Sequence, residues 1–207
     1  MTISRNISVM AQGASSSGIL AGGYGGLGAS VSPTTAGNVV FTADGSVWSS
    51  TAKIVRGTAV ASTSGTSIDF TSIPSWVKRI TVMLNTVGTN GTVSNIQLQI
   101  GSGSVTTTGY TSQSSNAAIN TGVITTGFVL FNKSQTTYYL SGAVQLFLIG
   151  SNTWTSTGVI SYTTVAGANW ITAGNSPALA GALDRVRLTT VNGTDTFNSG
   201  SVNILYE

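Results

Sequence analysis

Few side chains in this sequence can do acid–base or covalent chemistry. Its acids are Asp44, Asp69, Asp184, Asp195 and Glu207, scattered so that no two have the spacing of an acid/base pair. Hydrolysis of a glycosidic bond normally needs two carboxyl groups held close together. There is no histidine, so the commonest general base and metal ligand is missing. There is no cysteine, which excludes disulfides and thiolate metal sites and leaves the redox compartment unreadable. The glycine-rich GGYGG at 22–26 lacks the Lys-Ser/Thr and the helix that would complete a phosphate loop. Its glycines suit close approach of backbones at a crowded subunit contact. No catalytic residue, cofactor or metal site is expected.

Binding chemistry is better represented. IPSWVKRI at 73–80 sets Trp76 beside Lys78 and Arg79. That group reads either as a cation–π or sugar-stacking platform, or as a turn at Pro74 with Trp76 capping the core and Lys78 blunting a strand edge. In SNTWTSTGVISYTTVAGANW at 151–170, aromatic rings stand among Asn, Ser and Thr. Sugars stack their apolar faces on such rings. Trp154 and Trp170 are therefore candidate glycan contacts, while Tyr162 and Trp170 read equally well as core residues of adjoining strands. Asp184, Arg185 and Arg187 suggest a small ionic cluster, ordinarily a surface strand with an inter-subunit salt bridge.

These residues need elements to position them, and the composition points to β structure. Of 207 residues only 6% are charged, while 41% are hydrophobic. The chain is too apolar to be disordered. Its surface must rely on Ser, Thr, Asn and Gln, and much of that surface is expected to meet other protein, because monomers usually rely on charge for solubility. The net charge of +3 is too sparse for a nucleic-acid patch. Alternating runs separated by turn residues fill 57–207. RITVMLNTV at 79–87 puts Ile80, Val82 and Leu84 on one face. NIQLQI at 95–100 sets Ile96, Leu98 and Ile100 opposite Gln97 and Gln99, with Asn90-Gly91 as a turn between the two runs. Further strands are expected within 123–131, 136–140, 143–149, 158–165, 184–191 and 201–207. Such a series predicts an all-β antiparallel β-sandwich or jelly roll. SPALAGAL at 176–183 is the one expected helical turn in this part.

Ahead of that domain lie two smaller parts. Residues 33–56 contain a β-prone run at Val39–Phe41, then Asp44-Gly45, a hairpin turn signal, then Val47-Trp48 as the start of a return strand. A two-stranded hairpin alone is marginal in water, so this one needs a partner. Residues 1–32 are rich in Gly, Ser and Ala, with a short helix possible at 3–11. Their apolar runs are too interrupted for a signal peptide or a membrane span. The N-x-S/T sequons at Asn6, Asn90, Asn132 and Asn192 then read as chance matches. Residues 1–32 are expected to be a docking arm, with Ile3, Ile7, Val9, Met10, Ile19, Leu20 and Leu27 supplying apolar contacts. An isolated arm cannot bury enough of these to offset its ordering entropy.

SPTTAGNVVFTADGSVWSS at 32–50 resembles a segment of tailed-bacteriophage fibre proteins, in Gly37, Asn38, Val39, Asp44, Gly45, Trp48 and Ser49. ISRNI at 3–7 is similar to the start of fibre and collar-type proteins, and GTSIDFTSIPSWVKRITVML at 65–84 to the opening of fibre C-terminal domains. The resemblance implies a non-enzymatic virion structural protein on the particle surface, commonly a homotrimer. Its partners would be other virion proteins through the N-terminal arm, copies of itself and a host surface glycan, with neither nucleic acid nor membrane insertion. Heptads and a long repeat shaft are missing, which favours a short fibre or a surface decoration protein over a long tail fibre. A capsid decoration or head-fibre protein is the alternative. A polysaccharide depolymerase is disfavoured by the scarcity of carboxylates.

Overall fold

The structure is a computed structural model that describes residues 38–42, 48–52, 54–132, 135–162 and 169–207. The chain divides into two units at Ile54/Val55. In the first unit, β1 (Asn38–Thr42) and β2 (Trp48–Ala52) pair antiparallel, from Asn38 opposite Ala52 to Thr42 opposite Trp48. The expected hairpin is therefore present. The Asp44-Gly45 turn, the 3–11 helix and the arm residues Ile3, Ile7, Val9, Met10, Ile19, Leu20 and Leu27 lie outside the described residues.

The second unit begins two residues earlier than expected, because β3 (Val55–Arg56) already pairs with the last strand. It continues through β4 (Val60–Ala61), β5 (Ser67–Phe70), β6 (Arg79–Thr89), β7 (Ile96–Ser102), β8 (Ser104–Val105) and β9 (Thr111–Ser115). It ends with β10 (Phe128–Phe131), β11 (Leu140–Gly150), β12 (Thr153–Tyr162), β13 (Asn169–Asn175), β14 (Arg185–Thr190) and β15 (Phe197–Tyr206). All pairings are antiparallel. One sheet has the order β3-β15-β6-β11-β12-β13-β9, with β4 also on β15; the other has the order β10-β7-β14-β5, with β8 on β7. The two pack face to face as an antiparallel β-sandwich, as the alternating pattern predicts.

The core follows the expected phase. Ile80, Val82 and Leu84 on β6 and Ile96, Leu98 and Ile100 on β7 are all buried. The Asn90-Gly91 segment does not close a hairpin. It carries the chain across the sandwich, since β6 and β7 belong to different sheets. Where the sheets converge, β10 meets β9 and β13 through side-chain hydroxyls. Ser112 Oγ accepts from the Val129 amide at 2.9 Å, Ser114 Oγ donates to the Leu130 carbonyl at 2.8 Å, and Thr172 Oγ1 donates to the Val129 carbonyl. Ser112, Ser114 and Thr172 are buried, so part of the Ser/Thr content joins the sheets instead of coating the surface.

Several elements differ from expectation. No helix occurs among the described residues, and 176–183 is an extended loop. Pro177 has no amide to donate. The Ser176 amide donates to the Trp154 carbonyl and the Leu179 amide to the Asn152 carbonyl, so the segment is tied to the β11–β12 hairpin. Leu179 and Leu183 plug the core there. Residues 136–139 form a turn and the end of a loop, with β11 starting at Leu140. Of the run at 123–131 only Phe128–Phe131 is a strand. Central strand β6 bulges at Asn85–Thr86, where the register of both neighbours slips. Thr86 has φ of 50°, and Gly200 opposite it has φ of 89°, a conformation that glycine adopts without strain.

Candidate functional site

The alternation of β7 and β14 gives the shorter sheet an outer polar face. Cross-strand register places Gln99 opposite Arg187 and Arg187 opposite Asp69. One step along, Gln97 faces Thr189, and Thr189 faces Ser67. Arg187 grips Asp69 with a fork, Nε to Oδ1 at 2.7 Å and Nη2 to Oδ2 at 3.1 Å. The ionic cluster expected at 184–187 is thus split. Arg185 pairs with its own neighbour Asp184, Nε to Oδ1 at 2.7 Å, and Asp184 Oδ2 also accepts from the Gly103 amide at 3.0 Å. The hydrogen bond from Arg185 holds the Asp184 carboxyl below the usual range, and the same bond raises the Arg185 guanidinium.

The glutamines do not behave as ordinary solvent-facing side chains. Gln97 is 1% exposed and Gln99 6%. Thr126, from the segment before β10, lies over them. Its hydroxyl donates to Gln97 Oε1 at 2.8 Å, and its carbonyl accepts from Gln99 Nε2 at 2.8 Å. Beside this cover runs a groove of about 290 Å³, with Gln97, Gln99, Arg187 and Thr189 below and Thr107 and Asn192 among its walls. The strict alternation in NIQLQI predicts a polar outer face, but no local signal reveals that Thr126, 29 residues after Gln97, covers it.

The longer sheet has a different outer face. Strands β9, β11, β12 and β13 contain no charged residue. One cross-strand row runs Asn203, Met83, Ala143, Val159, Ile171, Ser115. Val159 is 53% exposed and Ile171 62%. A shallow groove of about 480 Å³ beside Ile171 is walled by Gln113, Val123, Ala173 and Asn175.

The structure corrects the candidate glycan contacts. Trp154 is 2% exposed and Trp170 3%. Both indoles point inward from β12 and β13. Trp170 packs edge-on against Phe131 at 5.2 Å, and Phe131 also meets Tyr138 and Tyr162. Neither tryptophan offers a face for sugar stacking, and the core reading of Tyr162 and Trp170 holds. Trp76 departs from its expected core-capping role. It is nearly half exposed and tilts against Tyr206 at 5.9 Å, while Val77 enters the core. Arg79 beside it is ion-paired with Glu207.

No family model, curated protein or solved structure matches the chain.

Proposed function

We propose that this chain is a non-enzymatic structural protein of a bacteriophage particle, a short fibre. In this reading residues 1–32 anchor it to other virion proteins, and it assembles as a homotrimer. The β-sandwich is displayed toward the host surface, where it contacts a glycan. The observation that carries the reading is the charge-free outer face of β9, β11, β12 and β13, with Val159 and Ile171 side by side and open to solvent. Interface cores are depleted in charge, and a monomer exposing a neutral sheet face of this kind is prone to associate. The order of fibre-like segments along the chain supports the same reading. Among the described residues the acids also suit a structural role: Asp69, Asp184 and Glu207 are each paired with an arginine, and Asp195 accepts from Asn192 Nδ2 at 2.9 Å.

Sedimentation equilibrium of the full-length protein at micromolar concentration tests the reading. The expected species contains three 21.0 kDa chains. A stable, soluble monomer would overturn self-assembly through this face.

A further inference from the structure

We infer that Asn90 is a self-deamidating site, in which Asp195 serves as the base. The reaction happens once, on the chain itself, and so is compatible with a structural protein. It goes beyond the fibre reading and does not rest on it.

The sequence has two Asn-Gly pairs, Asn90-Gly91 and Asn192-Gly193. In such a pair the glycine nitrogen can attack the asparagine side-chain carbonyl, because no Cβ shields it. Both asparagines are exposed, yet their surroundings differ. Around Asn192 the reacting groups are occupied. Its Oδ1 accepts from Thr190 Oγ1 at 2.8 Å and from the Thr194 and Asp195 amides at 3.1 and 3.3 Å. Its Nδ2 donates to Asp195 Oδ1 at 2.9 Å. The attacking group there, the Gly193 amide, donates to the Thr190 carbonyl at 3.0 Å. Attack at Asn192 must first break these bonds.

Around Asn90 the same groups are free or activated. Among the described residues neither the Gly91 amide nor Asn90 Nδ2 has an acceptor. Asn90 Oδ1 accepts from the Thr196 amide at 2.9 Å, a donor aimed at the oxygen on which charge builds during attack. The Asn90 amide donates to the Thr196 carbonyl at 2.9 Å, which holds the residue in place. Asp195 Oδ2 supplies the remaining part. Among the described residues it is buried without a hydrogen-bond partner, a costly state for a carboxylate oxygen. A Cβ built on Gly91 would overlap it. It therefore lies against the Gly91 Cα, the atom bonded to the attacking nitrogen. Asp195 Oδ1 is held by Asn192, which fixes the carboxylate's orientation. A carboxylate so placed takes the Gly91 proton as the nitrogen attacks.

The atoms balance with water as the only co-reactant. The Gly91 nitrogen bonds to Asn90 Cγ, the Cγ–Nδ2 bond breaks, and ammonia leaves with the proton that Asp195 took. The resulting succinimide adds water, and opening either of its ring C–N bonds gives aspartate or isoaspartate at position 90. Isoaspartate routes the main chain through the former side chain. That undoes the paired bonds between Asn90, just beyond β6, and Thr196, just before β15.

The test incubates the folded full-length protein at neutral pH and follows both asparagines by peptide mass spectrometry. Labelling with an isoaspartate methyltransferase identifies the isomer. Asn90 should convert about tenfold faster than Asn192, or more. In urea, where the folded contacts are lost, conversion at Asn90 should slow and the two rates should converge. Asp195→Asn keeps the shape of the side chain and removes the base. It should slow conversion at Asn90 by about tenfold or more, with an unchanged melting temperature. If that variant fails to fold, the comparison of folded and urea-treated parent protein decides. The inference is overturned if Asn192 converts as fast as Asn90 in the folded protein, or if urea speeds conversion at Asn90. It is equally overturned if Asp195→Asn folds and leaves the rate at Asn90 unchanged.

Discussion

Val159 and Ile171 are direct cross-strand partners on β12 and β13, and each leaves more than half of its surface in solvent. Neighbouring apolar side chains on a sheet normally contribute by packing against something. In the proposed reading another copy of the chain covers them. Ile171→Lys should place a charge in that contact while touching nothing in the core. Its unfolding free energy should stay within about 0.5 kcal/mol of the parent protein's, while the oligomer dissociates in sedimentation. An oligomer that persists unchanged would move the interface elsewhere.

Leu98 tests the phase of the shorter sheet. It is fully buried on β7, opposite Phe128 on one side and Leu188 on the other. Leu98→Ala should cost about 2–5 kcal/mol in denaturant unfolding. A change near zero would mean the strand faces the other way.

Tyr110 predicts how stability falls in alkali. Its hydroxyl accepts from the Ile100 amide at 3.0 Å and has the Thr106 carbonyl at 3.0 Å as an acceptor. Burial pushes its phenol from 10.0 up to about 12. A folded pKa above the unfolded one means a contribution fully present below pH 10 and lost as pH rises toward 12. The loss is on the order of 2 kcal/mol. Unfolding measured across that window should show it, and Tyr110→Phe should remove this component while lowering stability at neutral pH through the lost hydrogen bonds. Identical alkaline slopes for the two proteins would contradict the assignment.

The strand phases were legible because alternation is a local signal. Ile80, Val82 and Leu84 repeat every second residue, and that spacing alone puts them on one face. Events set by distant partners were not legible. Gln97 and Gln99 look solvent-facing until Thr126 covers them. Trp154 and Trp170 stand in a polar stretch that suggests a loop, yet β12 and β13 turn both rings inward. The segment at 176–183 has helix-forming residues, but its amides are claimed by carbonyls of the β11–β12 hairpin. The neutral sheet face was foreshadowed by the low charge of the chain, but only strand order shows which four strands share it.

In the proposed reading the protein belongs to a phage particle and reaches it through residues 1–32. Immunogold labelling with antibody raised against the β domain tests this most directly, on particles carrying the full-length chain and on particles carrying a chain lacking residues 2–30. Gold is expected at a defined appendage site on the first and nowhere on the second, with the shortened protein still soluble and folded. Unlabelled particles in the first case, or normal occupancy by the shortened chain in the second, would contradict it.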